Sequence, residues 1–212
     1  MKIAFITIGQ SPREDVMGEL KSFLNGVEYF ELGALDGLTP SEIEELKPRA
    51  GEIEYVTRLV TGEEVKVSKE RIERRLQEIV DKISDTADLI VILCTGDFNL
   101  NSPKPIIYPG NLLKAIVSSL SPKKLGVIVP SINQIEYAVE RWKKYCADLK
   151  VVAWSPYEGG READLSSLLD RDLVVLDCIG YTLNHKAFVR ESVNKPVILP
   201  RSLLGLFIEE LS

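Results

Sequence analysis

Residues 88–96 read DLIVILCTG, and this stretch decides the fold because residues 172–180 repeat it as DLVVLDCIG, 84 positions further on (88 to 172). Each copy is a short, nearly continuous apolar run that ends in Cys-x-Gly. Such runs are typical of strands in parallel sheets, since both faces of these sheets are covered by helices. The chain is therefore predicted to contain two related buried strands, each with a cysteine at its carboxyl end, Cys94 and Cys178.

A second repeat follows the first in the same order. Residues 104–109 read KPIIYP and residues 195–200 read KPVILP, and the opening strand from Lys2 has a counterpart from Lys124. Apolar strands resemble one another by chance, but two ordered matches that share Cys-x-Gly and Lys-Pro indicate an internal duplication. We expect two similar Rossmann-like lobes related by a pseudo-two-fold axis.

Apolar patterns elsewhere support an α/β fold. Residues 69–83 and 133–146 show the spacing of helices, whereas residues 53–67 alternate with period two about a turn that contains Gly62 and predict a β-hairpin. Strands that alternate with helices favour mostly parallel sheets. The predicted strands are 3–8, 27–32, 88–94, 124–129, 150–154, 172–177 and 196–199.

The duplication also predicts the division of the chain. Residues 1–120 form a first α/β lobe, which carries the hairpin as an insertion and whose C-terminal helix is free to cross over to the second lobe. Residues 121–212 form that second lobe. The hairpin and its flanks account for the 38 extra residues that precede the cysteine in the first half.

Composition excludes several classes of protein. The 212 residues are 45% hydrophobic and 27% charged, which is ordinary globular usage, and the net charge of −6 comes with no basic block for nucleic acid. The apolar strings are far shorter than the ~20 residues needed to span a bilayer, and no signal-peptide core develops at the start. We therefore expect a cytoplasmic protein without nucleic-acid or membrane partners.

The cysteines point to thiol chemistry. Three of them without CxxC spacing predict neither a disulfide framework nor a zinc cluster, and Cys146, on a predicted helix from Tyr137, has no partner in the repeat and is interpreted as structural. Cys94 and Cys178 lie at strand ends, where parallel sheets bind ligands, and two facing lobes would place them across one cleft. Each is alternatively a small packed core residue.

Two thiols across a substrate carbon permit a specific reaction. One thiolate removes an α-proton while the other thiol donates a proton to the opposite face, which is racemisation or epimerisation without a cofactor. The thiol pKa of ~8.5 must fall for this, and helix N-terminal amides lower it.

Two turns are candidates for binding a substrate carboxylate. Ser11, next to Gln10, is predicted to cap a helix that begins at Pro12, with Arg13 adding positive charge, and Ser131 lies at the corresponding helix start of the second half. Plain helix capping is the alternative.

The loops after the two cysteines complete the predicted substrate site. His185, near the start of the following helix, is predicted to tune Cys178 or to move a proton, or else to be a surface histidine. No metal site and no nucleotide-binding motif is predicted. The loop residues predicted to bind substrate are Thr95, Gly96, Gly180, Tyr181 and Thr182.

Several motifs resemble the AroM family over nearly the whole chain: residues 6–13 (ITIGQSPR), 57–59 (TRL) with Gly62, 93–96 (LCTG) and 176–181 (LDCIGY). More distantly, the two-halved layout with a cysteine in each half is similar to the aspartate/glutamate/hydantoin racemase superfamily, which includes arylmalonate decarboxylases. That resemblance implies cofactor-independent chemistry between two α/β lobes. Racemases typically carry Cys-Asn-Thr and Gly-Cys-Thr, whereas this chain has Cys-Thr-Gly and Asp-Cys-Ile, so amino-group recognition is not implied.

Three functions remain open at this point. The leading hypothesis is a cofactor-independent isomerase that uses Cys94 and Cys178 as paired acid and base on a small carboxylate. The alternatives are a protein that binds a small carboxylate without turnover, and a lyase or decarboxylase that needs one thiol. The expected partner is a small-molecule carboxylate, and a homo-oligomer is left open.

Overall fold

A computed structural model describes residues 1–157 and 163–212 of the chain. The elements of the first half are β1 (Lys2–Thr7), α1 (Glu14–Leu20), β2 (Glu28–Gly33), α2 (Pro40–Glu45), β3 (Glu54–Arg58), β4 (Glu64–Ser68), α3 (Lys69–Ile83), β5 (Leu89–Leu93), β6 (Ile106–Ile107) and α4 (Pro109–Leu120). Those of the second half are β7 (Lys124–Val129), α5 (Ile135–Trp142), β8 (Asp148–Ala153), β9 (Leu173–Leu176), α6 (Leu183–Val193), β10 (Val197–Ile198) and α7 (Pro200–Leu211).

The strands form two four-stranded parallel sheets with the same topology. The first has the order β2-β1-β5-β6 and the second the order β8-β7-β9-β10. The register repeats as well, because Ile3 lies opposite Leu89 in the first sheet and Leu125 lies opposite Leu173 in the second. The prediction of two related α/β lobes with mostly parallel sheets is confirmed.

Equivalent side chains begin equivalent strands. The carboxylate of Asp88 accepts the backbone N–H of Lys2 at 2.8 Å, and Asp172 accepts that of Lys124 at the same distance. These aspartates open the two repeated motifs. Their role is to tie two neighbouring strands together at the amino ends, opposite the ends that carry the cysteines.

The last helix of each half packs on the sheet of the other half. Leu113 of α4 lies in the apolar cluster of the second sheet, whereas Leu204 and Ile208 of α7 lie in that of the first sheet. Burying a leucine side chain contributes roughly 1.5–3 kcal/mol. The exchange of helices therefore joins the two lobes through their hydrophobic cores.

The predicted hairpin is β3 and β4, which pair in antiparallel fashion about a turn where Gly62 has a φ of +90°. It lies across both lobes. The Gln10 N–H of the first lobe donates to the carbonyl of Arg58 at 3.1 Å, and the Gln134 side chain of the second donates to the carbonyl of Glu54 at 2.8 Å. The hairpin thus covers the space between the lobes at the carboxyl ends of the strands.

Two predicted helices differ from the observed ones. The single helix predicted over 133–146 is a 3-10 turn at Ile132–Gln134, α5, and a second 3-10 turn at Lys143–Tyr145. The predicted start at Pro12 with Ser11 as cap is wrong, since α1 begins at Glu14. The Ser11 hydroxyl instead donates to a carboxylate from the β2–α2 turn, Asp36.

No helix within the described residues is both long enough and apolar enough to cross a membrane.

Candidate active site

The two repeated cysteines line one small cavity between the lobes. Cys94 directly follows β5 and Cys178 lies two residues beyond β9, and both side chains are buried. The cavity has a volume of about 30 Å³, which is roughly the share of liquid volume that one water molecule takes. Its remaining walls come mainly from the hairpin, the Cys94 loop and α5 with its preceding turn, through Tyr55, Val56, Thr95, Gly96, Gln134, Tyr137 and Arg141.

The two cysteine loops have the same local geometry. The N–H of Gly96 donates to the sulfur of Cys94 at 3.3 Å, and the N–H of Gly180 donates to that of Cys178 at 3.4 Å. A backbone donor stabilises a thiolate more than a thiol. Each Cys-x-Gly motif therefore supplies its own cysteine with a hydrogen-bond donor.

Both glycines of the motif lie against a tyrosine ring. A Cβ on Gly96 would lie 2.5 Å from Cζ of Tyr55, and a Cβ on Gly180 would lie 2.6 Å from Cζ of Tyr157. Such distances are well inside van der Waals contact, so only glycine fits. One tyrosine comes from the hairpin and the other from the segment after β8, and each covers one cysteine loop.

Burial dominates the ionisation of the two thiols. It raises the pKa of Cys94 to about 12, against the opposing effects of the Gly96 N–H and of Arg141. Burial likewise raises the pKa of Cys178 to about 11, against the Gly180 N–H and Arg13. The sequence predicted that helix N-terminal amides would lower these pKa values; the donors are instead amides of the two loops, and their effect is smaller than that of burial.

Arg141 is buried beside the cavity, and each of its three guanidinium nitrogens lies close to an oxygen of another residue. Its Nη1 donates to both carboxylate oxygens of Asp177 at 2.8 and 3.0 Å, and its Nη2 donates to the carbonyl of Thr95. Its Nε lies 3.3 Å from Asp97. Asp97 also pairs with Lys114 and accepts the Tyr137 hydroxyl at 3.0 Å, so two cations, Arg141 and Lys114, face two carboxylates, Asp97 and Asp177.

Two arginines, Arg13 and Arg58, lie on the Cys178 side, and the carboxylate of Glu31 accepts the backbone N–H of Arg13 at 2.7 Å. Arg13 is buried, donates to Asp15 at 2.8 Å through Nε and again through Nη2, and reaches the Tyr157 hydroxyl at 3.2 Å. The guanidinium of Arg58 lies 5.2 Å from the centre of the Tyr157 ring and 3.9 Å from Asp15. Burial works against the charged form of Arg13, but Asp15 outweighs it and keeps the pKa of Arg13 above its ordinary value.

The first predicted anion-binding turn is occupied by a carboxylate of the protein itself. The N–H and the hydroxyl of Ser11 donate to Asp36 at 2.8 and 2.6 Å. The side-chain oxygen of Gln10 accepts the N–H of Val60 at 3.0 Å and so holds the hairpin. Neither Gln10 nor Ser11 lines the cavity that contains the two cysteines.

The second predicted anion-binding turn is occupied in the same way. The Ser131 hydroxyl donates to Oε1 of Glu54 at 2.7 Å, and Nδ2 of Asn133 donates to Oε2 at 3.1 Å. Lys66 completes the surroundings of this carboxylate at 3.1 Å. Both turns hold a carboxylate of the protein itself, so binding of a substrate carboxylate at either turn stays a prediction.

The other predicted residues lie behind the Cys178 loop. Tyr181 is fully buried and donates its hydroxyl to the carbonyl of Trp154. Thr182 and His185 cap α6 reciprocally, with Nδ1 of His185 accepting the Thr182 N–H at 3.0 Å. The His185 ring lies 4.9 Å from the Trp154 ring, and burial followed by the charge of Arg201 lowers the pKa of His185.

Sequence reasoning missed the polar residues that complete the cavity walls: Tyr55, Gln134, Tyr137, Arg141 and Asp177. Tyr55 lies on the predicted hairpin, but nothing local shows which side chain of a hairpin enters a cleft. Arg141 contacts residues 46 and 36 positions away, Thr95 and Asp177. Among the residues that the structure describes, no three His, Cys, Asp or Glu side chains are grouped as metal ligands would be.

Solved structures with this arrangement of two lobes include racemases, a maleate isomerase and an arylmalonate decarboxylase. Allantoin racemase from Klebsiella pneumoniae is 14% identical with a TM-score of 0.59, over 100% of this chain and 87% of that one. Maleate isomerase Iso from Pseudomonas putida S16 is 14% identical with a TM-score of 0.58, over 100% and 93%. Glutamate racemase from Aquifex pyrophilus is 17% identical with a TM-score of 0.62, over 100% and 84%. At these identities the likeness defines the fold, which is racemase-like.

The sequence itself identifies the family. Residues 3–212 match the AroM protein family, and the chain belongs to it. No curated protein matches the sequence.

Proposed function

We propose that the protein is a cofactor-independent isomerase, a racemase or epimerase, that acts on a small carboxylate through Cys94 and Cys178. The observation that carries the proposal is that two cysteines at equivalent strand ends line the same cavity between the lobes. The racemase-like fold supports it. Among the described residues that line the cavity, no other pair of titratable side chains is related by the repeat.

Protons and electrons balance in this reaction with one cysteine as the thiolate and the other as the thiol. A thiolate of one cysteine takes the proton from the carbon next to the carboxylate and becomes a thiol, and the electron pair delocalises into the carboxylate. The thiol of the other cysteine then delivers its proton to the opposite face and becomes the thiolate. The configuration is inverted and the two cysteines have exchanged roles.

The cavity must open before such a reaction can occur. A volume of about 30 Å³ admits one water and excludes a carboxylic acid with several heavy atoms. Movement of the hairpin would enlarge it, because Tyr55 forms a wall. Opening would also hydrate the thiols and remove the burial that raises the pKa of Cys94 and Cys178.

The charges favour one side for the substrate carboxylate. Arg141 and Lys114 are balanced by Asp97 and Asp177 on the Cys94 side. On the Cys178 side, the side chains of Arg13 and Arg58 both pair with Asp15, and both guanidinium groups lie against Tyr157. We therefore expect the carboxylate to bind near Tyr157, where two guanidinium groups are close together.

Deuterium incorporation from heavy water tests the proposal. The protein is incubated with single enantiomers of small amino and hydroxy acids, and proton exchange and inversion are followed by NMR and chiral chromatography. The wild type is expected to do both with at least one acid, whereas Cys94→Ser and Cys178→Ser lose inversion by about 10²-fold or more. Cys146→Ser is the matched control. Absence of exchange with every acid would contradict the proposal.

One observation favours a second candidate, a carboxylate-binding protein without turnover. Burial raises the pKa of Cys94 to about 12 and that of Cys178 to about 11, so both thiols favour the protonated form, which suits binding better than proton abstraction. Calorimetric titration separates the two. Saturable binding of an acid that shows no exchange supports this candidate, and binding accompanied by exchange supports the isomerase.

A further inference from the structure

The residue after each cysteine offers its carbonyl to a buried arginine. The carbonyl of Thr95 accepts a hydrogen bond from Nη2 of Arg141, and the carbonyl of Ile179 accepts from Nε and Nη2 of Arg201 at 3.2 and 2.9 Å. The two arginines are 8% and 1% exposed. The two cysteine loops, 94–96 and 178–180, are called the thiol loops here. In each of them a guanidinium binds the carbonyl of the residue after the cysteine.

The two arginines come from non-equivalent places in the repeat. Arg201 is the second residue of α7, and the second residue of the equivalent helix α4 is Gly110. A Cβ on Gly110 would collide with the Thr95 carbonyl and with Nη2 of Arg141. Because Gly110 has no side chain, the guanidinium of Arg141 from α5 fits beside the Thr95 carbonyl.

Only the arginine from α5 connects both thiol loops. Arg141 binds the carbonyl of Thr95, which follows Cys94, and both oxygens of Asp177, which precedes Cys178. Arg201 instead joins the Cys178 loop to α1, through the Asp15 carbonyl at 2.8 Å and an ion pair with Glu19 at 3.4 Å.

The contacts of Arg141 are rigid. A planar guanidinium with donors in a fixed fork sets the direction of its partners, which a lysine ammonium does not. The indole N–H of Trp142 also donates to Asp177 at 2.7 Å and prevents that carboxylate from rotating. Attraction to Asp177 and Asp97 outweighs burial and keeps the pKa of Arg141 above its ordinary value.

We propose that Arg141 is a positioning residue that sets the separation of the Cys94 and Cys178 thiols by tying the backbone after one to the side chain before the other. The inference rests on the proposed function, in which both thiols must reach one carbon from opposite faces. Misplacement of a reacting group by about 1 Å costs on the order of 10²-fold in rate.

Substitutions at Arg141 are compared with a matched control. Arg171 is equally buried, at 2% exposed, and its Nη1 pairs with Asp148 at 2.9 Å, at the amino ends of the second sheet and away from the thiols. Arg141→Ala and Arg141→Lys are expected to lower kcat about 10²-fold with KM changed less than about threefold. Added guanidinium ion is expected to restore part of the activity of Arg141→Ala. The control Arg171→Met is expected to keep the kcat of the wild type even though its Tm falls by about as much as that of the Arg141 variants.

A second readout does not depend on turnover. Iodoacetamide labelling, followed by mass spectrometry, reports how tightly the thiol loops are held, with Cys146 as the internal reference. Arg141→Ala and Arg141→Lys are expected to speed labelling of Cys94 and Cys178 together, by tenfold or more, and Arg171→Met to leave it unchanged. Equal labelling in Arg141→Lys and wild type, or an equal increase in Arg171→Met, overturns the positioning role. Absence of exchange in the wild type overturns the proposed function alone.

Discussion

The hydroxyl of Ser131 donates a hydrogen bond of 2.7 Å to the Glu54 carboxylate, and this contact fastens the hairpin of the first lobe to a turn of the second. The next residue of the hairpin, Tyr55, packs against Gly96 beside Cys94. The Glu54 contact therefore determines whether one wall of the cysteine cavity is in place. The hairpin therefore covers the cavity, and the Glu54 carboxylate holds this cover in place. The contact between Glu54 and Ser131 is called the latch below.

Removal of the latch is expected to open the cavity. Glu54→Ala leaves the Ser131 and Asn133 donors without an acceptor, which costs about 1–3 kcal/mol of unfolding free energy in urea. Labelling of Cys94 by iodoacetamide is expected to become faster. Glu63→Ala, an exposed carboxylate on the same hairpin, is the control. Equal labelling in the two variants would show that Glu54 does not hold the cover.

The same latch is expected to weaken in acid. Burial acts against the Glu54 carboxylate, but hydrogen bonds from Ser131, Asn133 and Lys66 outweigh it and place the pKa of Glu54 below its ordinary value of 4.5. A lowered folded-state pKa gives stability that is complete above 4.5 and is lost as the pH falls through the folded value. The difference in unfolding free energy between wild type and Glu54→Gln should therefore shrink from pH 7 to pH 3. A difference that stays constant contradicts this assignment.

Glycine at position 96 is expected to be required by the ring of Tyr55. Gly96→Ala places a methyl group 2.5 Å from Cζ of that ring, and overpacking of this kind costs about 1–3 kcal/mol. Tyr55→Ala removes the obstacle. Thermal unfolding of the two single variants and the double variant should show that Gly96→Ala costs much less once Tyr55 is absent. If the losses of Tm in the two single variants simply add in the double variant, the clash between the new methyl group and the Tyr55 ring is relieved in another way.

The two cavity thiols are expected to differ in reactivity. The pKa of Cys178 is raised to about 11 and that of Cys94 to about 12, mainly by burial. The thiol with the lower pKa carries more thiolate at a given pH. Timed labelling at pH 8 is therefore expected to modify Cys178 faster than Cys94. Faster labelling of Cys94 than of Cys178 would contradict this order of the two pKa values, to which Arg13 contributes at Cys178 and Arg141 at Cys94.

The turn at Ser11 is expected to accept an external anion once its internal one is removed. Asp36 accepts from the Ser11 N–H, the Ser11 hydroxyl and the Gly33 N–H at 2.8, 2.6 and 2.7 Å. Asp36→Ala leaves three donors free and should lower Tm. Millimolar phosphate or acetate should recover part of that Tm in the variant and leave the wild type unchanged. Equal effects on both proteins would exclude a specific anion site.

Most of the strands and the pair of cysteines could be predicted from the chain alone. Apolar runs such as 89–93 report burial on both faces, and that signal is local, so the seven strands predicted from such runs lie within two residues of observed ones, whereas β6 was not predicted. The duplication revealed the second lobe, the hairpin as an insertion, and Cys94 and Cys178 as equivalent positions.

Only the tertiary structure decided which groups meet those cysteines. Arg141 and Tyr55 reach the cavity from α5 and from the hairpin, and their partners lie tens of residues away. Ser11 and Ser131 have the residue types of anion-binding turns, but Asp36 and Glu54 fill both. Sequence periodicity reports which face of an element is buried, whereas side-chain pairing depends on how the two lobes and the hairpin pack in three dimensions.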